Sequence, residues 1–303
     1  AHTDRDKIAF CGYHGWHDWY LAANLKSEEA LDDHLLPGLG PLGVPKGLSG
    51  TAIPFHYNQL TELENIVSKN RKDLAAIVME PIRSDQPHSG FLEGVRAIAN
   101  DIGAVLVIDE ISAGFRTNTG GAHMNLGLTP DIAVFSKALG NGYPIGAIVG
   151  KSSVMDTVQK TFISSTYWTE RIGPTAALAC IKKHREVNAG AYLIAIGEQV
   201  QQGWQQCSKL NDLNILVDGI PPLSNFSFEY DNALSIKALF IQLMLEKGFL
   251  ASNLFYAMLS HQSGHVEQYL KAVGESFAFI REVLDNGSLE SRLKGKPSAS
   301  GFK

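Results

Sequence analysis

Two short apolar runs, Val105–Ile108 and Ile132–Phe135, each break onto polar residues: Asp109-Glu110 after the first, Ser136-Lys137 after the second. Unbroken apolar runs of this length, bounded by turn residues, mark strands buried on both faces of a parallel sheet. Leu74–Met79, stopped by Glu80-Pro81, reads the same way, and Lys7–Cys11 and Ile145–Val149 add two more. Between them the period lengthens. Leu60, Leu63, Ile66 and Val67 form a helical stripe behind an expected cap at Asn58, and Leu92, Val95 and Ile98 form another within Phe91–Asn100. Strand and helix alternating in this way predict an α/β fold, a mostly parallel sheet covered by helices.

The pattern shifts in the second half. Pro174–Arg185 and Ala191–Cys207 are predicted helices, the second with the stripe Leu193, Ile196, Val200, Trp204 and Cys207. Asn188-Ala189-Gly190 separates them and marks the expected boundary between a large domain, 1–189, and a smaller C-terminal α+β domain, 190–303, entered through a linking helix. In the latter, Phe226, Phe228 and Tyr230 alternate as a half-buried strand. Leu234, Ala238, Ile241 and Leu245 mark a helix ended by Gly248, and Val266, Leu270, Val273, Phe277, Ile280 and Leu284 a long final one. The Pro- and Gly-rich stretch from Ala30 to Gly50 is a long loop.

Composition narrows the function classes. A net charge of −5 argues against nucleic acid or an anionic membrane as the main partner, and no apolar run approaches the roughly 18 residues of a membrane span. Cys11, Cys180 and Cys207 are scattered, with neither zinc spacing nor a disulfide framework, which suits a reducing cytoplasm.

Candidate chemistry gathers at the strand ends. In open α/β sheets ligands bind at the carboxyl edge, where Lys137 and Asp109 are both expected, followed by Gly140, Gly142 and Gly146 in a turn that brings backbone close to something. A lysine and an acid meeting there suggest carbonyl chemistry through a Schiff base. His14, His17 and Asp18 could instead be metal ligands, but they supply only part of a shell and no second His/Cys cluster follows, so no metal is assigned.

The ordered set of motifs, an acidic pair closing an apolar strand (Asp109-Glu110), Gly-Phe-Arg at 114–116, Pro-Asp-Ile at 130–132, and Ser-Lys-Ala before Gly-Asn-Gly-Tyr-Pro-Ile-Gly-Ala, resembles the class III aminotransferases from about Lys7 to Ala177. The resemblance implies the type I fold of pyridoxal-phosphate-dependent transferases and pyridoxal 5′-phosphate as cofactor. It makes Lys137 the Schiff-base lysine and general base, and Asp109 the acid that keeps the pyridine nitrogen protonated. Tyr13 and Ile111 take the two ring faces, with His14 beside Tyr13. Glu80 lies near the ring or the substrate amine, and Thr166 reaches the phosphate of a neighbouring subunit's cofactor. That last placement implies a homodimer with a shared active site. Arg116 and Arg171 are candidate forks for a substrate carboxylate. Ser112 stands where the family often has a larger residue, and Trp168–Pro174 replaces a shorter turn; both departures touch the substrate side. Members of the family carry a further stretch before this chain's first residue, including a Ser/Gly-Thr helix start that holds the cofactor phosphate, and the chain reads as beginning mid-domain.

The expected activity is amino-group transfer between a small-molecule amino donor and a carbonyl acceptor, by an aminotransferase or a glutamate-1-semialdehyde-type 2,1-aminomutase. The alternative is an incomplete fragment with this fold and no independent catalysis.

Overall fold

The computed structural model describes residues 1–27, 29–34, 37–82, 84–164, 166 and 169–297. The chain divides into two compact units, one comprising Ala1–Ile82 and Gln86–Val187, the other beginning at Asn188.

The first unit is built on strands β1 (Lys7–Cys11), β2 (Ala52–Pro54), β3 (Leu74–Met79), β4 (Val105–Asp109), β5 (Ile132–Phe135) and β6 (Ala147–Gly150), with helices α1 (Asp18–Leu21), α2 (Leu60–Asn70), α3 (Phe91–Ile102), α4 (Ala122–Asn125), α5 (Ser152–Met155) and α6 (Ile172–Glu186). The strands order as β2-β1-β3-β4-β5-β6. All pairings are parallel except β5 with β6, which is antiparallel. Side chains alternate across the sheet as a strand requires. Ala9, Cys11, Ile77, Met79, Leu106 and Ile108 face α2 and α3, whose Leu63, Val67, Phe91, Val95 and Ala99 close that core. Ile8, Phe10, Ala76 and Val78 face the other way, against Tyr20, Ala23, Leu31 and Leu39. α3 ends where Gly103 adopts φ +65°, a left-handed stop that glycine makes without strain.

The second unit holds α7 (Ala189–Leu210), β7 (Ile215–Asp218), β8 (Leu223–Phe228), α8 (Ala233–Glu246), β9 (Leu254–Tyr256), α9 (Ser263–Asp285) and α10 (Leu289–Arg292). Its three strands form a separate antiparallel sheet, β7-β8-β9. Trp204, Phe226, Phe240 and Phe277 are all fully buried in its core.

Three sequence expectations shift. Asn58 does not cap α2, because it sits at φ +64° and clasps the 86–88 loop instead, donating to Gln86 O and accepting from His88 N. The final strand of the first unit starts at Ala147, since the Ile145 carbonyl is taken by the Ser136 hydroxyl at 2.7 Å. Tyr230 lies beyond β8, where its hydroxyl accepts the Asn214 N–H. Among the described residues no helix is long and apolar enough to cross a membrane.

Candidate active site

β1, β3, β4 and β5 run parallel, so their carboxyl ends share one edge, and Tyr13, His14, Glu80, Asp109, Ile111 and Lys137 lie at or just beyond those ends. Asp109 closes β4. Its Oδ1 accepts the Ile111 N–H at 2.9 Å and its Oδ2 meets His14 Nδ1 at 2.8 Å. The two side chains are nearly shielded from solvent, with 3% of His14 and 11% of Asp109 exposed. His14 Nε2 lies 2.9 Å from the Cys11 carbonyl, which can only accept. Nε2 therefore carries a hydrogen.

His14 reaches Asp109 because the chain turns sharply after β1. Gly12 turns at φ +97°, and a Cβ there would come 3.1 Å from Glu80 Oε2. Both conditions call for glycine. Glu80, at the end of β3, is thereby buried against the turn that carries Tyr13 and His14. The Tyr13 ring packs at 4.7 Å from Trp16 and 5.7 Å from Tyr20. In the core under α2 and α3, the Cys11 thiol is pushed up to about 12, first by burial and then by the Glu80 and Glu62 carboxylates, so it stays a protonated core residue.

β5 places the lysine. Asp109 pairs in register with Val134, so Lys137 leaves the same edge three residues later. Its backbone stands at φ +46°, a left-handed conformation that a lysine adopts only when its surroundings impose it. Ser136 is extended and pinned to Ile145 O, and Asn141 N donates to Lys137 O at 2.9 Å. Gly140 closes the turn, where a Cβ would sit 2.2 Å from the Tyr143 carbonyl oxygen. Lys137 Nζ donates to Ser112 Oγ at 2.7 Å.

Ser112 sits on the turn that follows Asp109, with half-buried Ile111 one residue before it. Arg116 Nε donates to the Ser112 carbonyl at 3.3 Å. Glu110, the second acid of the pair, points into the protein. It is fully buried and accepts from Ala122 N, His123 N and His123 Nδ1 at 2.9, 2.8 and 2.7 Å. It anchors the loop between β4 and α4. Neither that clamp nor the Ser112–Lys137 contact was visible from spacing, because both depend on which of two adjacent side chains turns inward. Thr166 is exposed, and Ser165, Tyr167 and Trp168 beside it lie outside the described residues. Arg171 is an exposed residue at the start of α6, whose first N–H groups, from Ile172 and Gly173, are received by Glu170. His17 Nε2 turns back to His14 O, and no group of three His, Cys, Asp or Glu able to hold a metal occurs among the described residues.

A parallel α/β sheet with a lysine and a buried carboxylate on adjacent strand ends belongs to the class of fold that binds pyridoxal phosphate. The family model for class-III aminotransferases matches residues 2–254, and the chain belongs to that family. It is 31% identical over 296 residues to the 3-aminobutyryl-CoA aminotransferase of Cloacimonas acidaminovorans, covering 94% of this chain and 67% of that protein. It is 30% identical over 300 residues to the glutamate-1-semialdehyde 2,1-aminomutase of Clostridium kluyveri, covering 90% and 69%. The FumI protein of Sphingopyxis sp. MTA144 shares the fold with a TM-score of 0.82 at 22% identity, over 94% of this chain and 67% of that one. The chain thus spans about two thirds of the length of these relatives. Pyridoxal 5′-phosphate is the cofactor of the family, and the residues here fit it: a primary amine, a buried carboxylate at the end of the adjacent strand, and an aromatic and an aliphatic side chain at the same edge.

Proposed function

We propose that the chain transfers an amino group from a small-molecule donor to a carbonyl acceptor, with Lys137 as the cofactor lysine. When bound, pyridoxal phosphate supplies an aldehyde that condenses with an amine and a conjugated ring that accepts electrons from the substrate carbon. In this reading Asp109 faces the ring nitrogen, with its charge steadied by His14 and by the Ile111 N–H. Tyr13 and Ile111 flank the ring, Glu80 stands near the ring or the substrate amine, and Thr166 serves the phosphate of a second subunit in a homodimer. Lys137 would hold the cofactor through its amine and serve as the base that moves the proton at the substrate carbon. The first unit is the cofactor-binding domain, the second the small domain, and the setting is cytoplasmic.

The observation that carries the reading is the β4–β5 register, which sets Asp109 and Lys137 on neighbouring strand ends of one edge. Relatives of both kinds, an aminotransferase and an aminomutase, stand at nearly equal identity. Amino-group transfer is common to both, and the loops that retain or release the intermediate product distinguish them. The test is to mix the protein with pyridoxal phosphate, follow the visible absorbance of the linked cofactor, and fix it with borohydride. The phosphopyridoxyl mass is expected on the Lys137 peptide, and Lys137→Ala is expected to lose the band, the adduct and turnover together. A folded protein without band or adduct, or a Lys137→Ala variant with near-normal turnover, overturns the assignment.

A further inference from the structure

We propose that Ser112 is the positioning residue for Lys137: its hydroxyl holds the lysine amine against the turn that also carries Asp109 and Ile111. The proposal rests on Lys137 being the cofactor lysine, and it adds a partner that the sequence marks only as a departure from the family's usual larger side chain.

Four observations converge on it. The Lys137 amine donates to Ser112 Oγ at 2.7 Å, at the short end of the range for a nitrogen donor. The lysine backbone is held in a strained left-handed conformation at φ +46°, so its side chain leaves the strand end in a direction fixed by more than rotamer preference. The Ser112 turn is itself fastened, since Gly114 N donates to Glu110 O at 2.8 Å and Ile111 N to Asp109 Oδ1 at 2.9 Å. Glu110, buried with three donors, fixes the far side of the same loop. The serine therefore stands on a fastened turn three residues after Asp109, with its hydroxyl meeting the lysine that follows the neighbouring strand.

The residue type suits the task. A lysine side chain has four rotatable bonds, and an amine at its end wanders unless something receives it. A hydroxyl oxygen accepts from an ammonium, so it can receive the charged amine on this side of the edge whenever that amine is not covalently engaged.

The experiment uses the cofactor-free protein and reads Lys137 directly. Trace acetic anhydride is applied across mildly alkaline pH, and the acetylation rate of Lys137 is compared by peptide mass spectrometry with those of Lys26 and Lys151 in the same sample. Losing the acceptor removes a bond that favours the protonated, unreactive amine. Ser112→Ala is expected to speed Lys137 labelling by about threefold to tenfold, the span that one hydrogen bond to a charged group commands, and to shift its pH profile downward. The two reference lysines should not change. Ser112→Thr, which restores a hydroxyl, should return the rate to near that of the parent. If Ser112→Ala does not fold, Ser112→Cys fills nearly the same space without the oxygen and should label as the alanine variant would. Equal rates in parent and Ser112→Ala, or a threonine variant that labels as fast as alanine, overturn the proposal. Because no cofactor is present, this outcome is independent of the borohydride test: an unlinked Lys137 with an altered labelling rate would sink the function and keep the contact, and the reverse result would do the opposite.

Discussion

At His14 a single side chain answers two acceptors at once, the Asp109 carboxyl and the Cys11 carbonyl, and that doubled duty makes it more than a neighbour of Tyr13. Its ring is edge-on to Phe10 at 6.2 Å and stacked with Trp19 at the same centroid distance, so its shape is also held by packing. His14→Phe keeps a flat ring in that space and removes both nitrogens. The buried carboxyl would then keep only the Ile111 N–H among the bonds described, and a lost hydrogen bond to a charged group costs about 1.5–3 kcal/mol. Urea denaturation of the cofactor-free protein should show a loss of about that size. A change below roughly 0.5 kcal/mol, the scatter of neutral surface substitutions, would mean that Asp109 is not held through this imidazole. The same residue shows what sequence can and cannot deliver. That a histidine next to the tyrosine expected to stack on the ring belongs to the site was an expectation from the motif; that it grips the acid from 95 positions earlier was not legible, because the contact spans β3, which lies between β1 and β4 in the sheet.

The turn between β1 and α1 is held from outside by His34. Gly12 N donates to His34 Nδ1 at 3.3 Å, which requires an unprotonated nitrogen there, and the ring stacks on His56 with centroids 5.2 Å apart. Burial first, then the His56 charge, brings His34 down to about 4, with Asp33 and Glu62 pulling the other way and His14 adding to the depression. In the unfolded chain an ordinary histidine near 6.5 takes up its proton sooner. Between those values the unfolded state binds more protons, so stability rises with pH there. The contribution of His34 is therefore complete above about pH 6.5 and is lost as pH falls toward 4, by at most about 3 kcal/mol at 1.36 kcal/mol for each unit. Urea midpoints measured at neutral pH and near pH 4.5 should converge in His34→Gln, which cannot titrate, and diverge in the parent. Equal slopes in both would place the acid sensitivity elsewhere. Elements of this kind also mark the limit of pattern reading. α2, α3, β3, β4 and β5 were legible because their apolar positions repeat at 3.6 residues or run unbroken. β2, β7 and β9 span three or four residues each and carry no period of their own, so the sheet they join defines them. Asn58 had the right residue type for a cap, but a competing pair of bonds to the 86–88 loop outweighed it.

On the scale of the whole chain, each of the two units has a core of its own. Ile77, Met79, Leu106 and Ile108 with α2 and α3 make the one, and Trp204, Phe226, Phe240 and Phe277 with α7, α8 and α9 the other. In the second, the Phe277 ring lies 5.8 Å from Phe226, 5.8 Å from Phe228 and 5.7 Å from Phe240, at the centre of an aromatic cluster. Trp204 Nε1 donates to Tyr269 OH at 3.0 Å, so the one polar atom of that indole is satisfied inside the core. Phe277→Ala opens a cavity there and should cost the second unit about 3–5 kcal/mol. If the two cores are stabilised separately, hydrogen exchange read by mass spectrometry will show that loss in peptides from residues 189–285 alone. The peptides of β3, β4 and β5, which carry Glu80, Asp109 and the approach to Lys137, will keep the protection of the parent. Borohydride fixation on Lys137 should then survive the substitution, because every residue assigned to the cofactor comes from the first unit. An equal loss of protection in both sets of peptides would show instead that the chain unfolds as one cooperative block, and that the aromatic cluster contributes to holding the lysine and its acid in register.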